Sequence, residues 1–168
     1  QLIKLIKGGM IKNIGSLDQV NASSVDVRLG PDFLVEKRFS PVYPIVDLAS
    51  REPLGMSSVK LEGSDIQAPK NFVLDPGQFV LGATLERFTL PDNVSAQFHL
   101  TSSMARSGLG HSLAGHCNPG WNNSTLTLEL KNETQFHSLR LTPGMIIGQM
   151  VFHIHDTVSK EASYSSRG

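Results

Sequence analysis

Thr125-Leu-Thr-Leu-Glu-Leu-Lys131 sets the architecture of this chain. Leu126, Leu128 and Leu130 alternate with Thr127, Glu129 and Lys131, the period of two that sends successive side chains to opposite faces of a strand. The leucine face is buried. The other face is either open to water, which makes Glu129 an ordinary solvated carboxylate, or it lines a pocket, which makes Glu129 a proton carrier.

Val94 to Leu100 alternates in the same way. Ser24-Val-Asp-Val-Arg-Leu29 is a strand ending at the turn Gly30-Pro31. Phe72-Val-Leu74 precedes Asp75-Pro-Gly77, and Phe79 to Leu85 leads into Phe88-Thr-Leu90 and the turn Pro91-Asp-Asn93. Thr142-Pro-Gly144 precedes a long strand from Met145 to Ile154, and residues 40 to 70, rich in Pro, Ser and Gly, read as long loops around short extended pieces. Short strands with frequent turns predict a mainly β domain, an antiparallel sandwich or barrel. Leu2, Ile3, Leu5, Ile6 and Met10 recur at helical spacing before and around Gly8-Gly9, which predicts one short N-terminal helix. With no repeat or composition break, residues 1–168 read as a single domain.

Fifteen basic and fifteen acidic residues cancel, so the chain has no general electrostatic footprint for nucleic acid and no basic face for an anionic membrane. A single cysteine, Cys117, excludes an internal disulfide and fits a reducing, cytoplasmic setting. No run approaches the roughly 18 apolar residues of a membrane helix, and the start carries no signal-peptide pattern. The chain does not begin with Met, so residues are expected before Gln1. In that setting the Asn-x-Ser/Thr triplets, among them those at Asn21, Asn93, Asn123 and Asn132, read as chance.

The chemistry gathers between residues 101 and 130. Ser102 and Ser103, at the start of a short helical turn, offer hydroxyls and free N–H groups to an anion, and Arg106 adds a bidentate partner. The same residues also suit an ordinary helix cap with a surface arginine. A zinc-dependent deaminase needs two or three cysteines with His-x-Glu, and this chain has one cysteine and no such triplet. His153 and His155 share a strand face without a third ligand, and read as surface histidines. His111 and His116 flank the Ala114-Gly115 turn, where they meet either a ligand or the loop itself. Trp121 reads as a core or interface anchor, and Cys117 has no activating partner.

Six segments, in order, make the chain resemble the dCTP deaminases of the dUTPase superfamily. They are Ser24-Val-Asp-Val-Arg-Leu-Gly30, Thr84-Leu-Glu-x-x-Thr-Leu-Pro91, Ser102-Ser-x-Ala-Arg-x-Gly-Leu109, Pro119-Gly-Trp121, Leu126-x-Leu-Glu-Leu130 and Pro143-Gly-Met-x-Ile-Gly148. The resemblance implies a distorted jelly-roll or β-barrel of the dUTPase type, assembled as a homotrimer with active sites between subunits. It implies zinc-independent deamination of dCTP to dUTP and ammonia, with Mg²⁺ carried by the triphosphate. The alternatives are a dUTPase, a bifunctional enzyme taking dCTP to dUMP, or a nucleotide-binding regulator without catalysis.

In the same resemblance Glu129 is the general acid/base, Ser102 and Arg106 hold and polarise the water or stabilise the intermediate, and the carbonyl of Ala114 orients the water. Ser103, Gly115, His116, Asn118, Trp121, Gln149 and Tyr164 are the substrate-binding candidates, and no residue is a metal ligand. Three departures stand out. Thr101 replaces an arginine, Asn118 replaces an aspartate, and the tail that closes over the nucleotide in relatives is expected to be missing after Gly168.

Overall fold

The computed structural model describes residues 2–36, 45–50, 55–61 and 71–166. Helix α1 (Leu2–Lys7) opens the chain where the apolar spacing places it, and ends at Gly8 and Gly9. The strands follow as β1 (Ile11–Lys12), β2 (Ser24–Arg28), β3 (Asp32–Glu36), β4 (Met56–Lys60), β5 (Phe72–Leu74), β6 (Phe79–Ala83), β7 (Arg87–Phe88) and β8 (Val94–Leu100). After helix α2 (Ser102–Arg106) come β9 (Leu109–His111), β10 (His116–Cys117), β11 (Thr127–Asn132), β12 (Leu139–Leu141) and β13 (Ile146–Ile154). The domain is mainly β, as the alternation requires.

Among the described residues the strands form two principal sheets, in the orders β10-β8-β13-β2 and β4-β3-β6-β11-β9, with two-stranded ribbons β1-β7 and β12-β5. Every strand pairing among them is antiparallel. The sheets do not close on each other into a barrel; a distorted jelly-roll is the architecture they fit. Their inner faces meet in one core, with Val25, Val27, Phe98 and Met150 from one sheet and Phe33, Val80, Leu128 and Leu130 from the other. Gly82 marks how closely they pack, since a Cβ there would lie 3.3 Å from Leu29 and 3.6 Å from both Leu130 and Phe33.

Within 40–70, Met56–Lys60 forms an edge strand paired with Asp32–Glu36, and 45–50 is loop and turn as expected; residues 40–44, 51–54 and 62–70 lie outside the described residues. The strand expected over 79–85 stops at Ala83, because Thr84 turns its hydroxyl inward to bond Glu86 O and Leu126 N–H.

A polar clasp ties the first third of the chain to the sheets. Glu86, fully buried, accepts Arg28 Nε–H at 2.8 Å, the Arg28 backbone N–H at 2.8 Å and Gln19 Nε2–H at 3.1 Å. Gln19 in turn accepts the N–H groups of Gly15 and Ser16, closing a capping box on the turn Leu17–Gln19. Two of the six recognised segments, around Arg28 and Glu86, therefore meet each other and serve the fold.

Candidate active site

Glu129 occupies the middle of β11, opposite Leu81 of β6, while its neighbour Leu130 pairs with His111 of β9. Leu128 and Leu130 are fully buried on the core face. Thr127 and Lys131, on the carboxylate's own face, are exposed, yet the Glu129 side chain keeps only 23% of its exposure. His111 covers it. His111 Nε2 lies 3.3 Å from Glu129 Oε2, and the ring is 2% exposed. The contact is close but not aligned as a hydrogen bond, and among the described residues neither buried atom has another partner. Burial lowers the His111 pKa below its ordinary value; the negative charge of Glu129 opposes this and His99 adds to it.

The ring is held from three other sides. Its Nδ1 accepts the Leu113 backbone N–H at 3.2 Å, Phe98 meets it edge-on with centroids 4.8 Å apart, and Gly115 leaves the space its Cε1 occupies. The Ser112 N–H also binds the backbone carbonyl of Glu129 at 3.2 Å, so the turn is stitched to β11 through main chain as well.

Helix α2 presents the hydroxyl pair. Thr101 is its N-cap, accepting the Met104 N–H at 3.4 Å and lying 3.1 Å from Ser103 Oγ. Ser102, Ser103 and Arg106 are exposed, and Arg106 makes no ion pair among the described residues. As first residues of a helix, Ser102 and Ser103 point their N–H groups out of it. Gly108, at φ +84, then reverses the chain into β9; a Cβ there would sit 2.3 Å from Thr134 Cγ2. Helix α2 packs on β9.

The turn after β9 supplies the next group of candidates. The carbonyl of Ala114 accepts the His116 N–H at 2.9 Å and that of Gly115 accepts the Phe98 N–H at 2.8 Å, leaving each oxygen one further lone pair. His116 is exposed with Nδ1 3.2 Å from Gln97 Oε1, and Asn118 is exposed, with its carbonyl accepting the Trp121 N–H. Cys117 between them is buried, and burial pushes its thiol up to about 12, so it stays protonated and unreactive.

Trp121 stacks on Tyr164, centroids 4.8 Å apart and 23° from parallel. The last described segment is fastened there by the Tyr164 N–H to Pro119 O at 2.9 Å and Ser163 Oγ–H to Asp92 Oδ1 at 2.6 Å. Gly120 makes room at φ +80, since a Cβ would meet Ser163 Oγ at 2.0 Å. Gln149 lies on β13 and accepts Ser24 Oγ–H at 3.0 Å.

Thus the fold places Glu129 against the 111–115 turn and sets Trp121 against Tyr164. Among the described residues no contact joins Ser102, Arg106 or Tyr164 to Glu129. An open groove of about 330 Å³ lined by Lys4, Met10, Thr89 and Pro91 involves none of these residues. No three His, Cys, Asp or Glu side chains gather as a metal site among the described residues. His155 Nδ1 is engaged with Asp156 O at 2.7 Å, and His153 is exposed. His111 is the residue the sequence reading left among loop contacts. Its spacing in the loop carries no mark of burial, and only the meeting of β9 with β11 and Phe98 shows it.

Comparison with known proteins shows the family. The family described as dCTP deaminase-like matches residues 1–155. A protein named dCTP deaminase, dUMP-forming, from Leifsonia xyli subsp. xyli is 39% identical over 153 residues, covering 88% of this chain and 72% of that protein. One of the same name from Mycolicibacterium vanbaalenii is 43% identical over 132 residues, covering 78% of this chain and 65% of that protein. The solved 2'-deoxycytidine 5'-triphosphate deaminase from Agrobacterium tumefaciens superposes with a TM-score of 0.66 at 22% identity, covering 95% of this chain but 48% of that one, which bears on the fold alone. With the family match over residues 1–155 and relatives at 39–43% identity in agreement, the chain belongs to the dCTP deaminase-like family.

Proposed function

We propose that this chain deaminates dCTP by adding water at C4 of the cytosine and expelling ammonia, and that the product released is dUMP. The observation that carries the deamination is Glu129. It is a carboxylate fixed in mid-strand, its side chain 23% exposed, with Oε2 sealed against His111 and Oε1 free of hydrogen bonds among the described residues. A single carboxylate so placed takes one proton from the attacking water and gives it to the ring nitrogen N3. It then takes the second from the new C4 hydroxyl and gives it to the amine, which leaves as ammonia while the C4 carbonyl forms. Ser102 and Arg106 would polarise the water or stabilise the charge that develops. Ser103 would meet phosphate, and the free lone pair of Ala114 O would orient the water. His116, Asn118, Trp121, Gln149 and Tyr164 would contact the nucleotide.

The sequence alone pointed to dUTP as the end product. The relatives at 39–43% identity are named dUMP-forming, which supports the second hydrolysis, at the α–β phosphate bond, as well. Asn118 favours a second reading in which dUTP is released. Its amide takes up no proton where an aspartate would. Mg²⁺ would arrive on the triphosphate. The exposed Arg106, with no ion pair among the described residues, and the absence among them of a hydrogen bond from Ser102 or Arg106 to Glu129 support a site completed by neighbouring subunits of a homotrimer, which light scattering on the purified protein checks.

Incubation with Mg²⁺ and dCTP, dCMP or dUTP, with ammonia and pyrophosphate measured separately, tests the reading. Equal ammonia and pyrophosphate from dCTP is the expected result. Ammonia alone establishes the second reading, and nucleotide binding with neither product refutes catalysis. Glu129→Gln is expected to lower ammonia release at least ~100-fold while nucleotide still binds; an active variant would remove Glu129 from its role.

A further inference from the structure

We propose that His111 is the positioning residue of Glu129, a neutral imidazole with its proton on Nε2 that donates to Oε2 and leaves Oε1 as the oxygen that moves protons. This rests on the deaminase reading for its catalytic consequence, and on geometry alone for the tautomer. Nδ1 accepts the Leu113 N–H at 3.2 Å, so it carries no proton, and in a neutral ring the proton is then on Nε2. That nitrogen faces Glu129 Oε2 at 3.3 Å, and neither atom has another partner among the described residues. A small ring rotation aligns the bond and satisfies both buried groups at once.

The groups facing the ring from the packed elements are Glu129 on β11 and His99 on β8, with the Phe98 edge between strand and turn. Burial keeps the imidazole from taking a second proton near neutrality, so it serves as a fixed donor and not as a shuttle. Leu113 reinforces the arrangement. It holds φ +60, a conformation that costs a non-glycine residue energy and needs outside support. The Leu113 N–H to Nδ1 bond is one such support, so the turn and the carboxylate share one ring.

The test uses the full chain labelled with ¹⁵N-histidine, in which long-range ¹H–¹⁵N correlations identify the tautomer and His111→Gln assigns the signal. A neutral His111 with Nε2 protonated at pH 7.5 is expected. An Nδ1–H ring, or an imidazolium, overturns the proposal whatever the activity, and no fold question arises because the wild-type protein is read. Absence of ammonia from wild type would sink the deaminase reading while leaving this result standing. In an active protein His111→Phe should lower kcat about tenfold or more with KM within threefold. His111→Gln, whose Nε2–H reaches the same place, should restore most of it. A change confined to KM, or no rescue by glutamine in a folded variant, overturns the donor role.

Discussion

Arg28→Met is expected to destabilise the protein by about 3 kcal/mol, through the charge it strands and without touching the candidate site. Glu86 is fully buried and its carboxylate is held by three donors, two of them from Arg28. Methionine keeps much of the stem and the backbone N–H, so what disappears is the guanidinium, with its Nε–H to Glu86 and its second bond to the carbonyl of Asn13. Removing one partner of a buried ion pair costs about 3–5 kcal/mol. The Arg28 side chain is 25% exposed, so water replaces part of what is lost and the lower end applies. In a chain of this size that is a fall in Tm of about 6–12 °C.

Thermal unfolding followed by circular dichroism, at one fixed protein concentration because an assembly would make Tm depend on it, measures the loss. The companion variant is Arg28→Met with Glu86→Gln, in which no charge is left stranded. It should be more stable than Arg28→Met alone. A shift below about 2 °C for the single variant, or a double variant less stable than the single, would refute the account of the clasp as a paired buried charge.

Gly148 sits at the register shift of β13, and a Cβ there would lie 2.2 Å from Phe98 Cε2 and 2.5 Å from His99 O. Gly148→Ala should therefore cost about 3 kcal/mol, the upper end for overpacking, read as a lower urea midpoint. Cys117 should ignore a thiol reagent in the native protein and react once urea unfolds it, since its thiol is buried and raised to about 12. Labelling of the native protein within minutes would contradict this. His111 has a lowered pKa in the fold, so the unfolded chain binds its proton first and stability must fall as pH drops through the ordinary histidine range near 6.5. Urea midpoints from pH 7.5 to 5 should fall less in His111→Gln than in wild type, and equal slopes would exclude His111 as a source of the loss.

What the sequence disclosed and what it hid follow from how local each signal is. Val94–Leu100 and Thr127–Asn132 were legible because each buries one face, so apolar residues recur at period two. Asp32–Glu36 was not, because Leu34 points outward at 42% exposure and breaks the alternation of Phe33 with Val35. β9 and β10, of three and two residues, are too short for any period to show. Arg28 and Glu86 lay in recognised segments, but 58 positions separate them and nothing near either residue announces the pairing. Thr101, visible as a departure from the family's arginine, has a physical role here as the cap of α2. At that position the chain gives up a cation and gains a helix start. His111 was legible only as a loop residue, and its bond to the Leu113 N–H is indeed within the loop. Its burial against Glu129 depends on Phe98 and on β9 lying beside β11, which no local window contains.

The placement of Glu129 also explains why its chemistry should be separable from the fold. In a strand a slip of one residue exchanges the two faces, so the burial of Leu128 and Leu130 fixes where the carboxylate points as firmly as it fixes the core. Pairing with β6 on one side and β9 on the other leaves β11 no edge along which to slide. The backbone thus sets the direction of the carboxylate, and the proposed bond from His111 then settles which of its two oxygens is free. Replacing Glu129 with glutamine therefore leaves every leucine and every ladder bond in place and exchanges one carboxylate oxygen for an amide nitrogen that cannot take up a proton. Loss of ammonia release in that variant, with Tm unchanged, would report on the reaction and not on the structure.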